Sequence, residues 1–143
     1  MHLDANALIA LGWPAHEHHE RMHAWCSRHA RDGWATCAIT QAAFVRIVSQ
    51  PAFSGRSFAL SEVGEVLNRN LAHAAHRLLP LDFSFPDVAA LCTGGLVGHR
   101  QVTDAWLLTA AARAGARLLT FDTGVRQLLA SEEERARLVS VPR

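Results

Sequence analysis

Apolar residues recur along this chain in short blocks whose spacing switches between strand-like runs and helical periods, with glycine, proline or a capping residue near most switches. The opening "MHLD" reads as a short strand. "ANALIALGWP" then carries apolar residues at helical spacing until Gly12 and Pro14 stop it. Residues 15–31 are charged and helical in period, with Met22, Trp25 and Cys26 as the buried stripe, and "DGW" ends the segment. "WATCAI" reads as a buried strand, followed by a helix capped by Thr40 that carries Phe44, Val45 and Val48 on its apolar face and stops at Pro51. "PAFSGRSF" reads as a loop, Ser61 caps a helix reaching about His73, "HRLLPL" is a third strand, and Ser84 before Pro86 opens the next helix. The three glycines of "TGGLVGHRQ" mark a mobile loop. A helix then runs from Thr103 or its neighbour to Ala114, Gly115 closes it, and "ARLLTF" is a strand ending at Asp122.

Helix and strand thus alternate through most of the chain, which predicts an α/β fold with a mainly parallel central sheet. With 143 residues, half of them apolar, residues 1–143 are expected to form one domain with a sizeable core. In open parallel sheets, ligands bind beyond the carboxyl ends of the strands. Asp4 and Asp122 each follow an apolar strand at that edge, and Asp104 lies in the first turn of a helix. Taken singly, Asp104 suits the helix dipole and Asp122 before "TG" suits a turn. Together they form a candidate cluster. Carboxylates gathered in a small space repel one another unless a cation neutralises them, and hard oxygen donors suit Mg²⁺ or Mn²⁺ better than zinc.

Charge removes some alternatives. The formal charge is +1, from 14 basic and 13 acidic residues, so no overall field draws the protein to a polyanion or an anionic membrane. All the basic residues are arginine. Cys26, Cys37 and Cys92 are odd in number and lack a C-x-x-C, which points to free thiols rather than a disulfide framework or zinc knuckle. The N-terminus places Asp4 where a signal peptide needs a basic or apolar lead, and no apolar run approaches the ~20 residues of a membrane span. A cytoplasmic location without membrane association is expected. "HERMH", His19 to His23, matches the H-E-x-x-H zinc-protease pattern. The longer pattern needs a glycine where Cys26 stands, and on a continuing helix His29 lies ~240° round from His23, so that site is incomplete.

"LDANALIAL", "TCAITQAAFVRIVSQPAF" and "HRQVTDAWLLTAAARAGARLLTFDTG", in that order over nearly the whole chain, resemble the PIN domain, specifically the VapC-type toxin ribonucleases of bacterial toxin–antitoxin pairs. The resemblance implies a three-layer α/β/α sandwich and endonucleolytic cleavage of RNA dependent on Mg²⁺ or Mn²⁺. It carries the acidic site to Asp4, Asp104 and Asp122, with Asn6 and Thr120 as supporting polar groups. It also implies a homodimer and a small VapB-type antitoxin as partner. One position departs from the family pattern: Gln41 stands where a glutamate is usual, which removes a negative charge but keeps an amide oxygen. Arg46, on the middle helix, and Arg100, in the glycine loop before Asp104, are candidates for holding a phosphate beside the metal. The competing expectation is a catalytically weak or silent PIN scaffold that binds RNA or a partner protein.

Overall fold

A computed structural model describes residues 1–142. Five short strands, β1 (His2–Leu3), β2 (Trp34–Thr36), β3 (His76–Leu78), β4 (Leu118–Leu119) and β5 (Val139–Ser140), form a parallel sheet in the order β3-β2-β1-β4-β5. Between them run helices α1 (Ala5–Gly12), α2 (His19–Arg28), α3 (Ala38–Val48), α4 (Pro51–Ser54), α5 (Leu60–Leu71), α6 (Phe85–Leu91), α7 (Val102–Arg113) and α8 (Glu132–Leu138). From β1 the chain builds outward to β2 and β3, then returns to the other side for β4 and β5. The order therefore reverses between β1 and β4, and the crevice of such a sheet opens at that reversal.

Strand alternation divides the core. On one face Leu118, Ala35 and Val139 join Leu107, Leu108 and Val88 from α7 and α6; on the other, Leu3 and Leu119 join Leu8, Phe44, Val63 and Leu67 from α1, α3 and α5. Helices cover both faces, which is the three-layer sandwich. His2 points toward α7, fully buried, with Nδ1 3.1 Å from the Leu107 carbonyl oxygen and Nε2 without a partner. A proton on Nδ1 satisfies that carbonyl, and burial pushes the imidazole pKa down to about 4, so His2 is neutral at physiological pH.

Several boundaries differ from the sequence reading. "WATCAI" yields a strand only to Thr36, because Cys37 becomes the N-cap of α3, with the Thr40 hydroxyl in its first turn accepting from the Cys37 N–H at 3.1 Å. "PAFS" is a single helical turn, not a loop, since Pro51 suits the first helical position. Glu62 accepts from the Ala59 N–H at 2.8 Å, so α5 starts from Ala59 rather than from Ser61. The segment after Asp122 forms α8, capped by Ser131 and Glu134, and then β5.

The glycine-rich segment before α7 is pinned at two places. Gln101 Oε1 accepts from the Val97 N–H at 2.9 Å and from that of Gly98 at 3.2 Å, and the Gly94 N–H donates to the Leu128 carbonyl at 2.9 Å. A Cβ on Gly94 would stand 2.6 Å from the Leu129 carbonyl oxygen and closer still to that of Gln127. Both obstacles are backbone, so Gly94→Ala is expected to lower stability by about 2–3 kcal/mol and the melting temperature by roughly 5–10 °C. An unchanged thermal melt would show that the segment can step away from residues 127–129 freely.

Candidate active site

Pairing across the β1/β4 reversal sets the site. The Asp4 N–H donates to the Leu119 carbonyl at 3.0 Å, and the Thr120 N–H donates to the Ser140 carbonyl at 3.0 Å, which fixes both residues at the carboxyl ends of adjacent strands. Asp4 then caps α1, its Oδ1 accepting from the Ala7 N–H at 2.6 Å. The Thr120 hydroxyl hydrogen-bonds the same carboxyl group and also accepts from the Asp122 N–H at 2.9 Å. Asp122 caps the 3₁₀ turn Thr123–Leu128, with Oδ1 accepting from the Gly124 N–H at 2.7 Å. Asp104 comes from the first turn of α7. All three predicted aspartates therefore meet at one edge.

Their electrostatics are unfavourable in isolation. Asp4 is only 8% exposed. Burial pushes its pKa up to about 6, against the Thr120 and Ala7 hydrogen bonds that lower it, and the charges of Asp104 and Asp122 raise it further. Burial also raises Asp104, with the charge of Asp122 adding to the effect. A divalent cation would relieve both the desolvation and the repulsion, and the all-oxygen donor set suits a hard ion. Among the described residues no three or more His, Cys, Asp or Glu side chains are grouped so that, as they stand, they could hold a metal ion. The cluster has the chemistry for such an ion without being collapsed onto one.

Gln41 is held one strand away. Its Nε2 donates to the buried Thr36 hydroxyl at 2.9 Å, and that oxygen lies 2.9 Å from His76 Nε2, so a hydrogen-bonded chain from half-buried Gln41 through Thr36 to half-buried His76 links the end of β2 to the start of β3. Asn6 is exposed, and its Oδ1 lies 2.8 Å from His16 Nε2. Arg100 is exposed in the 3₁₀ turn His99–Gln101, directly before α7, while Arg46 is exposed on α3. The sequence reading did not find Thr36; a threonine at a strand end facing a polar residue one helical turn into the next helix was the available signal.

"HERMH" has a different use. His19 Nδ1 lies 2.8 Å from the Ala10 carbonyl oxygen and His23 Nε2 3.0 Å from that of Leu11, so two imidazoles satisfy carbonyls at the end of α1. His29 turns away to stack on Trp25, 4.1 Å between ring centres. Of the three thiols, Cys37 and Cys92 are buried and Cys26 is half-buried, all unpaired.

The PIN domain family matches residues 1–129. The chain belongs to the PIN-domain family. Within it the chain is of the VapC type: it is 45% identical over 123 residues to "Ribonuclease VapC38" of Mycobacterium tuberculosis, covering 86% of this chain and 85% of that protein. It is 38% identical to "Ribonuclease VapC39" and 36% identical to "Ribonuclease VapC44" of the same organism, each over 86% of this chain and over 88% and 86% of those proteins. Among solved structures, VapBC2 from Rickettsia felis bound to a DNA fragment from their promoter superposes with a TM-score of 0.65, over 98% of this chain and 96% of that one, at 14% identity. That likeness concerns the fold.

Proposed function

We propose that residues 1–143 form one PIN domain that acts in the cytoplasm as the endoribonuclease toxin of a toxin–antitoxin pair. Asp4, Asp104 and Asp122 would hold Mg²⁺ or Mn²⁺. The observation that carries this reading is the gathering of three carboxylates at the β1/β4 reversal, with Asp4 buried and its pKa pushed up to about 6. The ion, when bound, supplies the positive charge that activates water and steadies the oxygen leaving phosphorus. The protein does the positioning. Ala7 N–H and the Thr120 hydroxyl orient Asp4, Gly124 N–H orients Asp122, and the α7 dipole favours the charge of Asp104. Arg100, exposed just before α7, would meet a phosphate approaching the start of that helix, and Asn6 would offer a polar group two residues from Asp4.

The names of its relatives, ribonucleases VapC38 and VapC39, support RNA as substrate, and the likeness to VapBC2 supports a VapB-type antitoxin as partner; pairing of the toxin with a second copy of itself is part of the same proposal. No helix among the described residues is long and apolar enough to cross a membrane. Induced expression in a bacterial host is expected to arrest growth, and Asp104→Asn to abolish the arrest at equal protein level. Equal toxicity of the two would remove the carboxylates from the mechanism.

Gln41 allows a graded test of the metal reading. Gln41→Glu keeps the contact to Thr36, whose hydroxyl can donate to the new carboxylate, and adds a fourth negative charge one strand from Asp4. Divalent binding should tighten by about 1 kcal/mol, roughly fivefold, and the Mn²⁺ or Mg²⁺ concentration giving half activity should fall accordingly. Calorimetric titration decides it: unchanged affinity would separate Gln41 from the metal.

A further inference from the structure

Beside the carboxylates, partly exposed rings form a row from the end of β4 across the α1–α2 connection to α4. Phe121, between Thr120 and Asp122 in the chain, meets the His18 ring at 4.3 Å; His18 meets His16 at 5.6 Å, and His16 meets Phe53 at 6.4 Å. Successive planes tilt by 32°, 56° and 41°. The Arg21 guanidinium stands 5.4 Å over the Phe121 ring. The row is tied to the site at two points: through Phe121, and through the hydrogen bond from His16 to Asn6, two residues from Asp4. Phe53 is 39% exposed although large and apolar, and His16 and His18 are half-buried.

Gathering the carboxylates does not require these rings. An acidic cluster repels a polyanion, so a nucleic-acid substrate needs attraction from groups other than the acids. Aromatic and imidazole faces and an arginine plane provide it, because unpaired bases stack on them whatever their sequence. Resting on the endoribonuclease reading, we propose that Phe121, His18, His16 and Phe53, with Arg21, form a stacking track that holds unpaired bases of the RNA on the α1–α2 side of the cleaved phosphate. The track binds RNA without metal, and a base-paired strand, whose faces are covered, fits it poorly.

The test uses the whole protein in EDTA, with a fluorescein-labelled single-stranded RNA of about 12 nucleotides and mixed sequence as probe, read by anisotropy. His18→Ala and Phe53→Ala are each expected to weaken binding about fivefold or more, and the double variant further, with melting curves close to the parent's because both rings are at least partly exposed. His18→Phe, which keeps a ring and removes the imidazole nitrogens, should bind within about twofold of the parent. The same RNA annealed to its complement should bind more weakly. In cleavage assays with Mn²⁺ the alanine variants should lose efficiency mainly through a higher KM. Unchanged RNA affinity in both alanine variants would overturn the track. So would unchanged RNA affinity accompanied by altered self-association in sedimentation, which would make the row an interface between copies. The two readings fail separately: cleavage that ignores the row removes the track alone, whereas row-dependent binding without any cleavage removes the endoribonuclease reading alone.

Discussion

Asp4→Asn is expected to leave RNA uncut and at the same time to raise the melting temperature of the metal-free protein. Asparagine keeps the cap, since its amide oxygen can accept from the Ala7 N–H as the carboxylate does. It removes a buried charge. The Asp4 pKa is raised from 3.8 to about 6 in the folded state, so the native protein holds its proton more tightly than the unfolded chain. Stability therefore falls as pH rises from about 4 to about 6, and the full penalty, roughly 3 kcal/mol, is present above pH 6. Relieving most of it should raise the melting temperature by roughly 5–10 °C in EDTA at neutral pH.

His2 gives this prediction a second edge. Its pKa is lowered from 6.5 to about 4, so the unfolded chain binds the extra proton and acid destabilises the fold between those values, again by about 3 kcal/mol in full. In the parent the Asp4 and His2 contributions oppose each other between pH 4 and 6. The Asp4→Asn variant loses the compensating one, so its advantage should vanish on acidification. A melting temperature at or below the parent's at neutral pH in EDTA would mean that Asp4 is not a strained carboxylate.

The second large effect is the pH dependence of stabilisation by a divalent ion. Below about pH 6 the ion must displace a proton from Asp4, so its apparent affinity should fall about tenfold per pH unit from that residue alone. The raised Asp104 makes the fall steeper. Above that range the affinity should level off. At fixed Mn²⁺ the thermal shift seen at pH 7.5 should thus shrink sharply by pH 5, where Asp4 alone removes about 1.4 kcal/mol. A shift of equal size at the two pH values would exclude buried carboxylates as the ligands.

The three aspartates could be read from the chain because each stands at a local boundary: the end of an apolar run for Asp4 and Asp122, the start of a helical period for Asp104. Local pattern reaches that far. It placed Thr40 as a cap where Cys37 holds the position, because both lie in one polar-to-apolar transition and only the backbone decides between them. It left α8 and β5 unread, although Ser131 and Glu134 have capping-box spacing, because the two-residue strand that follows is too short to show a period. That strand matters to the site, since Ser140 holds Thr120 in place. The contacts of Gln41 with Thr36 and of Thr36 with His76, forty residues further on, could not be foreseen for another reason. Periodicity reports which face a residue takes, not which distant residue shares it.

In the proposed reading, Asp4, Asp104 and Asp122 cut RNA with the help of a divalent ion. Purified parent and Asp104→Asn protein, incubated with end-labelled RNA in Mn²⁺, in Mg²⁺ and in EDTA, test it most directly. The predicted result is discrete cleavage by the parent with either metal, none in EDTA, and none by the variant under any condition, with both proteins equally folded. Cleavage by the parent that persists in EDTA, or by the variant at the parent's rate, would contradict it.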